Sequence, residues 1–500
     1  MNKFKAAIMD LLIIGLILAV AVFLVAYDHF TWRELVILFL TIYVVNCLLV
    51  FYMLLKDDEL HEKFIWVFFL VVFPILAHII FALFRIRRNP GISRLDYENR
   101  LFALGPPLAV PQPDGALSDF ESEQNRLINR QFYWTNVQLF VHGFEAYEDL
   151  FADLERAQKY IHIEMYIIKK SETFERFKQV LITKAQSGVE VKIILDSFGT
   201  WLVRQREFEY LQSNKVEIVI FNKTFYPIVK PTDNNRLHRK FFVIDGQIVH
   251  SGGLNISDEY SSYSHHYGYW ADLNFKLQGP IVNDYERMFW YDWYQSRPNN
   301  GADLSRYWWQ PGVNSVLTPA RERVLLFDEG PNNYENLLEN TLINWIYNTK
   351  TTIRLSTPYF IPTKQIFNAL KSALKKGVDL EIYIPGKPDK KIIYYGTFFY
   401  LKQLIHAGAK VYVMNEIFLH SKFAVFDDQF AYIGTNNLDM RSLYTNYEII
   451  NIICGAQTIQ QMNAIFDQYQ RHAQQLHDWH EGKLKTNFKK IIYELFAPLM

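Results

Sequence analysis

Two stretches of this 500-residue chain carry reactive side chains at identical intervals. HRKFFVIDGQIVHSGGLN runs from His238 to Asn255, and HSKFAVFDDQFAYIGTNN from His420 to Asn437. His238, Lys240, Asp245, Gly252, Gly253 and Asn255 fall on His420, Lys422, Asp427, Gly434, Thr435 and Asn437. Successive side chains of a strand alternate faces, so a His and a Lys two apart set an imidazole beside an ammonium. The small pairs Gly252-Gly253 and Gly434-Thr435 allow close backbone approach, and an Asn two residues on offers an amide donor. Lys and Asn from both copies would cradle an oxyanion. Two His facing one another suit displacement at phosphorus, one as nucleophile and the other as acid and then base. Asp245 precedes Gly246 and Asp427 precedes Asp428, where hairpin turns begin; both Asp are read as structural members of the motif.

One His-x-Lys on a strand is ordinary. A second copy with the same downstream Gly and Asn is not. Both stretches resemble the HxKxxxxD motif of the phospholipase D superfamily. The longer match of Gly434, Thr435, Asn437, Asp439, Arg441, Ser442, Asn446 and Glu448, with TPYFIP from Thr357 to Pro362, resembles its bacterial cardiolipin synthase branch.

The resemblance implies two similar domains about a pseudo-twofold, with the His faces meeting in one cleft. It also implies a carboxylate behind each ring, Glu448 in the second copy and Asp272 in the first, where the stretch SHHYGYWAD is longer. Thr435 would join Asn255, Asn437 and the two Lys in holding phosphoryl oxygens. By analogy His238 is the nucleophile and His420 the acid and base. The implied reaction makes cardiolipin and glycerol from two phosphatidylglycerol molecules through a phosphohistidine. The rival readings are a membrane-bound phospholipase D or other transphosphatidylase, a nuclease, and an inactive membrane scaffold. No cofactor is expected and no metal ligand set is legible. His265 and His266, in the longer stretch, are expected to line the entrance or solvent rather than bind metal, and His162 and His250 to be structural or surface residues.

These residues need elements to hold them, and the flanking sequence repeats too. Tyr160–Ile168 alternates as a strand, 173–186 carries Phe174, Phe177, Val180, Leu181 and Ala185 on one helical face, Gly188 stops that helix, and 189–195 is a second strand. Residues 352–360, 364–376, Gly377 and 378–384 reproduce the unit, and the segments from Gly279 and Gly455 echo one another as later helices. Strands alternating with helices predict α/β domains with a parallel or mixed sheet. The boundaries read as 118–300 and 313–500, with a Pro- and Gly-rich connector between them and a linker over 91–117.

Before the linker, residues 1–90 hold apolar runs at 8–26, 36–55 and 64–84, each long enough to span a bilayer at ~20 helical residues. The Lys and Arg flanks lean toward a multi-pass cell-membrane protein whose catalytic part faces the cytoplasm. The chain has 52 Lys and Arg against 52 Asp and Glu, so no basic field advertises nucleic acid. Aromatics make up 16% of residues, which suits work on phosphatidylglycerol and other anionic lipids at an interface. Two cysteines far apart support no disulfide framework.

Overall fold

The computed structural model describes residues 31–54, 117–223, 235–261, 268–297, 303–309, 322–331, 336–387 and 389–477, with a few isolated positions before residue 105. Residues 1–87 with 225–234 form one compact unit, and 88–224 with 235–500 another.

In the first unit the expected span 36–55 falls on a helix, Trp32–Leu54. Its stretch Trp32–Phe51 has 20 residues with mean hydropathy 2.4, long and apolar enough to cross a membrane. Thr31 caps it by donating from its N–H and hydroxyl to Glu34. Span 8–26 lies outside the described residues, as does 64–84 apart from Val67 and Leu70. One such helix is therefore described where three spans were expected.

The second unit is built on one large sheet with two two-stranded sheets beside it. Its strands in the first repeat are β1 (Tyr133–Phe140), β2 (Tyr160–Met165), β3 (Glu190–Asp196), β4 (Val216–Phe221), β5 (Arg236–Leu237), β6 (Phe241–Ile244), β7 (Ile248–Gly252), β8 (Tyr269–Ala271) and β9 (Asn274–Gln278). In the second repeat they are β10 (Glu322–Glu329), β11 (Thr352–Ser356), β12 (Phe360–Ile361), β13 (Asp379–Pro385), β14 (Lys410–Met414), β15 (Ile417–Leu419), β16 (Phe423–Phe426), β17 (Phe430–Gly434), β18 (Leu438–Asp439), β19 (Asn446–Cys454) and β20 (Gln474–Leu476). Outward from the central pair, one half runs β1-β9-β7-β6-β2-β3-β4 and the other β10-β19-β17-β16-β11-β13-β14, with β20 beyond. The halves join by antiparallel β1 and β10, Tyr133 opposite Val324. This is a mixed α/β fold with two like regions.

The local chemistry of the repeats agrees as well. Ser171 and Thr363 cap their helices by accepting from Phe174 N and Ile366 N, both at 3.2 Å. Gly188 and Gly377 end those helices at φ of 98° and 91°, a conformation costly for any residue with a Cβ. Each helix crosses between parallel strands, β2 to β3 and β11 to β13. The echoing segments become Val282–Ser296 and Ala456–His472, which lie on one face of the joined sheet. Met288, Phe289, Met462 and Phe466 from these helices share a single buried cluster with strands of both repeats. Separate cores under the opposite face serve each repeat.

Candidate active site

Two very short strand pairings bring the motifs together. β5 runs parallel to the start of β19, with Leu237 beside Tyr447, and the His238 N–H donates to the Tyr447 carbonyl at 3.0 Å. β15 runs parallel to β8, with Leu419 beside Ala271, and the His420 N–H donates to the Ala271 carbonyl at 2.7 Å. Each motif His thus pairs with the residue just before the other repeat's carboxylate. In consequence Glu448 Oε2 lies 2.9 Å from His238 Nδ1, and Asp272 Oδ2 lies 2.6 Å from His420 Nδ1. The carboxylate of each repeat serves the imidazole of the other. Sequence reasoning found both acids, but the crossing depends on pairings of two and three residues that leave no periodic trace.

A carboxylate at Nδ1 fixes the tautomer with its proton there and turns Nε2 to the reactants. Burial, with only partial compensation by the carboxylates, draws both imidazoles down to about 4, and the motif lysines add to the effect. Burial also draws Lys240 to about 7 and Lys422 to about 8. Burial acts against ionisation of Glu448 and Asp272 too. His238, Lys240 and Thr435 outweigh it at Glu448; Lys422, His420 and the Leu273 N–H do so at Asp272, and both carboxyls stay below their usual range. Two neutral imidazoles, two ammonium groups easily deprotonated and two carboxylates carry no net positive charge; a phosphodiester anion entering beside them would hold the lysines and an imidazole in their charged forms.

The lysines sit differently. Lys240 Nζ donates to the His238 carbonyl at 2.6 Å and lies 5.2 Å from the centre of the Tyr166 ring. Lys422 Nζ donates to the His420 carbonyl and stands against the imidazole, 2.7 Å from Nδ1 and 3.2 Å from Nε2. The aromatic walls differ as well: Tyr166 meets His238 edge-on at 4.8 Å, while Trp270 tilts against His420 at 4.8 Å.

Asp245 and Asp427 stand at the opposite ends of their strands from the His residues. Each has a positive φ, 52° and 51°. Asp245 accepts from Gln158, Lys159 and Tyr160 N–H groups, and Asp427 from Lys350, Thr351 and Thr352, tying each hairpin to the start of β2 or β11. These bonds tie strands together at the strand ends away from the motif His.

The phosphate-holding assignments divide. Asn437 is buried with its Oδ1 unpartnered, and its backbone N–H donates to the Ser442 hydroxyl at 3.1 Å. Asn255 Oδ1 accepts from the Ile167 N–H at 3.0 Å, a scaffold bond, and its side chain also bonds Tyr260. Thr435 departs from expectation. Its hydroxyl donates to Glu448 Oε2 at 2.6 Å and accepts from the Ile449 N–H at 3.1 Å, so its single proton is committed to the carboxylate rather than to a phosphoryl oxygen. Asn446 Nδ2 holds the other oxygen, Oε1, at 3.2 Å.

Several contributors escaped sequence reasoning. Asp196, at the end of β3, accepts from the Leu237 N–H at 3.0 Å and fixes the approach to His238. Arg239, between the motif His and Lys, points to the opposite face and binds Asp292 and Asp328, the latter at 2.8 Å on β10 of the other repeat. Alternation places it there; nothing in the sequence names its partners. His265 and His266 lie outside the described residues. His162 bonds Glu286 at 2.9 Å and stacks on Phe289 at 4.4 Å, and His250 bonds Asp153 at 2.8 Å, both within the scaffold. Asp149, Asp153 and His250 stand together, and Lys276 Nζ already fills that group 3.0 Å from Asp149 Oδ2.

The family profile described as "Cardiolipin synthase, PLD-like domain" matches residues 150–293 and 342–470. Cardiolipin synthase 1 of Bacillus anthracis is 28% identical over 512 residues, spanning 99% of either chain. Cardiolipin synthase of Geobacillus kaustophilus (strain HTA426) is 31% identical over 368 residues, 73% of this chain and 72% of its own. Among solved structures, phosphatidylserine synthase of Haemophilus influenzae Rd KW20 superposes with a TM-score of 0.58 at 17% identity, covering 77% of this chain and 100% of that one. At that identity the likeness is one of fold.

Proposed function

The chain belongs to the cardiolipin synthase family of phospholipase D-like enzymes, and we propose that it is a phosphatidyltransferase joining two phosphatidylglycerol molecules into cardiolipin and glycerol. The observation that carries the reading is the crossed pair His238–Glu448 and His420–Asp272, one site made by two repeats. In the first step His238 Nε2 attacks the phosphorus of one phosphatidylglycerol. The bond to the glycerol oxygen breaks, His420 supplies the proton, and glycerol leaves. In the second step the primary hydroxyl of another phosphatidylglycerol attacks the phosphohistidine, His420 takes its proton, and the phosphorus–nitrogen bond breaks.

Each lysine binds the carbonyl of its own motif His, but only Lys422 Nζ also stands against its imidazole, 3.2 Å from His420 Nε2, which favours His238 as the nucleophile. Anion binding raises the proton affinity of the imidazoles, so His420 becomes the acid as substrate arrives. Lys240, Lys422, Asn437 and Asn255 hold the charge that builds on phosphorus. Thr435 and Asn446 hold Glu448. The N-terminal apolar runs make the protein a multi-pass enzyme of the cell membrane with its catalytic unit on the cytoplasmic side, where it meets anionic lipid.

The test is a product analysis of the purified chain with phosphatidylglycerol in mixed micelles, without nucleotide and with chelator present. Cardiolipin and glycerol are expected in equal amounts, and added glycerol should reverse the reaction. Phosphatidic acid alone at every lipid density would make it a hydrolase, and loss of activity in chelator restored by a divalent ion would overturn the metal-free chemistry.

A further inference from the structure

Residues 197–204, SFGTWLVR, leave β3 beside His238 and hold three large apolar side chains outward. Phe198 is 52% exposed, Trp201 70% and Leu202 65%. The backbone beneath them is firmly held. Asp196 Oδ1 accepts from the Phe198 and Gly199 N–H groups at 2.8 and 3.0 Å, and the Thr200 hydroxyl donates to the Asp196 carbonyl at 2.7 Å. Gly199 packs so tightly on Tyr166 that a Cβ there would stand 1.8 Å from its carbonyl oxygen. Val203 is buried. Exposed aromatics on a pinned turn are not explained by packing, and adjacent exposed apolar groups mark a contact surface.

The turn is joined to the reactive centre. Asp196, which holds it, also accepts from the Leu237 N–H just before His238, and Tyr166, against which it rests, meets the His238 ring. Strand register says the same: Glu164 pairs with Phe241 and Met165 with Leu195, so the end of β3 lies on the sheet edge where the motif His stands. The second repeat repeats the arrangement. Ser356 pairs with both Phe423 and Tyr383, which brings the end of β13 and the turn that leaves it at Gly386 and Lys387 to the edge beside His420. Lys387 and Lys390 are exposed, and Arg204 is exposed beside Leu202. Nearby acids are engaged: Glu207 accepts from Lys178 at 2.5 Å, and Asp389 accepts from the Tyr359 hydroxyl.

We infer that these two turns form a seat for an anionic lipid bilayer, with Phe198, Trp201 and Leu202 entering the interface and Arg204, Lys387 and Lys390 meeting its phosphates. Tryptophan with aliphatic neighbours favours the headgroup boundary, and the flanking cations match negative lipid. The seat holds the mouth of the site where lipid headgroups lie, so substrate enters without leaving the interface. This rests on the phosphatidyltransferase reading for its purpose and on the exposed turns for its geometry.

The test places the full chain in vesicles whose phosphatidylglycerol carries brominated acyl chains, and takes Trp201 emission as the difference between the native chain and Trp201→Phe. The bromines should lower that emission at least about twofold, and more than brominated phosphatidylcholine at the same density. Emission untouched by bromine would overturn the seat, and equal quenching by the neutral lipid would overturn its anionic character. Emission that changes only with protein concentration would make the occupant a second copy of the chain. A second variant, Trp201→Ser with Leu202→Ser, should lower cardiolipin formation on bilayers about tenfold and leave turnover of short-chain phosphatidylglycerol below its micelle point within about twofold. Equal loss on both substrates would overturn the seat. Quenching needs no turnover, so a quenched Trp201 without cardiolipin would sink the catalytic reading and leave this one standing.

Discussion

The residues at positions 253 and 435 differ because the carboxylates they face differ in length. The hydroxyl of Thr435 reaches Glu448, while a Cβ at Gly253 would stand 2.2 Å from both oxygens of Asp272. The shorter acid sits against the backbone where the longer one leaves room for a side chain. Gly253→Thr should therefore displace Asp272, release His420 from its tautomer and lower kcat about 100-fold or more, within the range for losing a general acid–base group. Adding Asp272→Glu should restore part of that rate, as the second repeat's own pairing does. A fully active Gly253→Thr enzyme would refute the account. The lysines give a pH dependence. With Lys240 at about 7 and Lys422 at about 8, both are charged below those values, so kcat/KM should fall as pH rises through 7 to 8. The imidazoles, near 4, should impose an acid limb only well below neutrality. A profile level to pH ~9.5, where ordinary lysines are still charged, would show that burial does not depress them. The reactive types at this scale were legible in the sequence because two copies carried them at one spacing. The reason for Gly253 was not, since it lies in a contact with a residue nineteen positions on.

Elements carry the next share of specificity. The helices 172–186 and 364–375 were readable from apolar spacing and from the Gly that ends each, whereas β5, β8, β12, β15 and β18, of two or three residues, show no pattern of their own. Of these, β5, β8 and β15 set the crossed carboxylates beside the rings, so the sequence named the two acids and not which ring each lies against. Asp427 is the clearest staple between elements. Burial works against its charge, but the Thr351 hydroxyl and three backbone N–H groups outweigh it and hold the carboxyl below its usual range. A depressed carboxyl contributes stability that is fully present above its unfolded pKa and is lost as pH falls through the folded one. Asp427→Asn should cost about 2 kcal/mol at pH 7, the scale of charge-assisted bonds partly replaced by a neutral amide. The cost should shrink in acid, and the folded fraction should keep its activity. Urea unfolding at both pH values with activity per folded molecule checks this. Full stability with no activity would move Asp427 into the chemistry.

At the scale of the molecule, the sequence reads as two domains, and the structure builds one unit from them. β1 pairs with β10, Arg239 reaches Asp328 across that join, and one buried cluster takes residues from both repeats. Duplication was visible in the motifs; fusion was not, because an edge strand open to a partner looks in sequence like one open to solvent. An isolated repeat would expose β1 or β10 as a bare edge, strip half of the shared cluster and leave each His without its carboxylate. Cutting the chain between residues 312 and 313, beyond Leu304, Tyr307, Trp308 and Trp309 of the shared cluster, tests this. The pieces 1–312 and 313–500, made separately, should unfold without cooperativity and lack activity. Made together, they should associate through the β1–β10 edge and recover turnover, since every covalent neighbour of the site lies within one piece or the other. Pairing a piece bearing His238→Ala with one bearing Glu448→Gln should be no worse than either alone, because both changes strike the same crossed pair. A lone second repeat that melts as sharply as the whole chain would show that the two halves fold independently and that the shared core is dispensable.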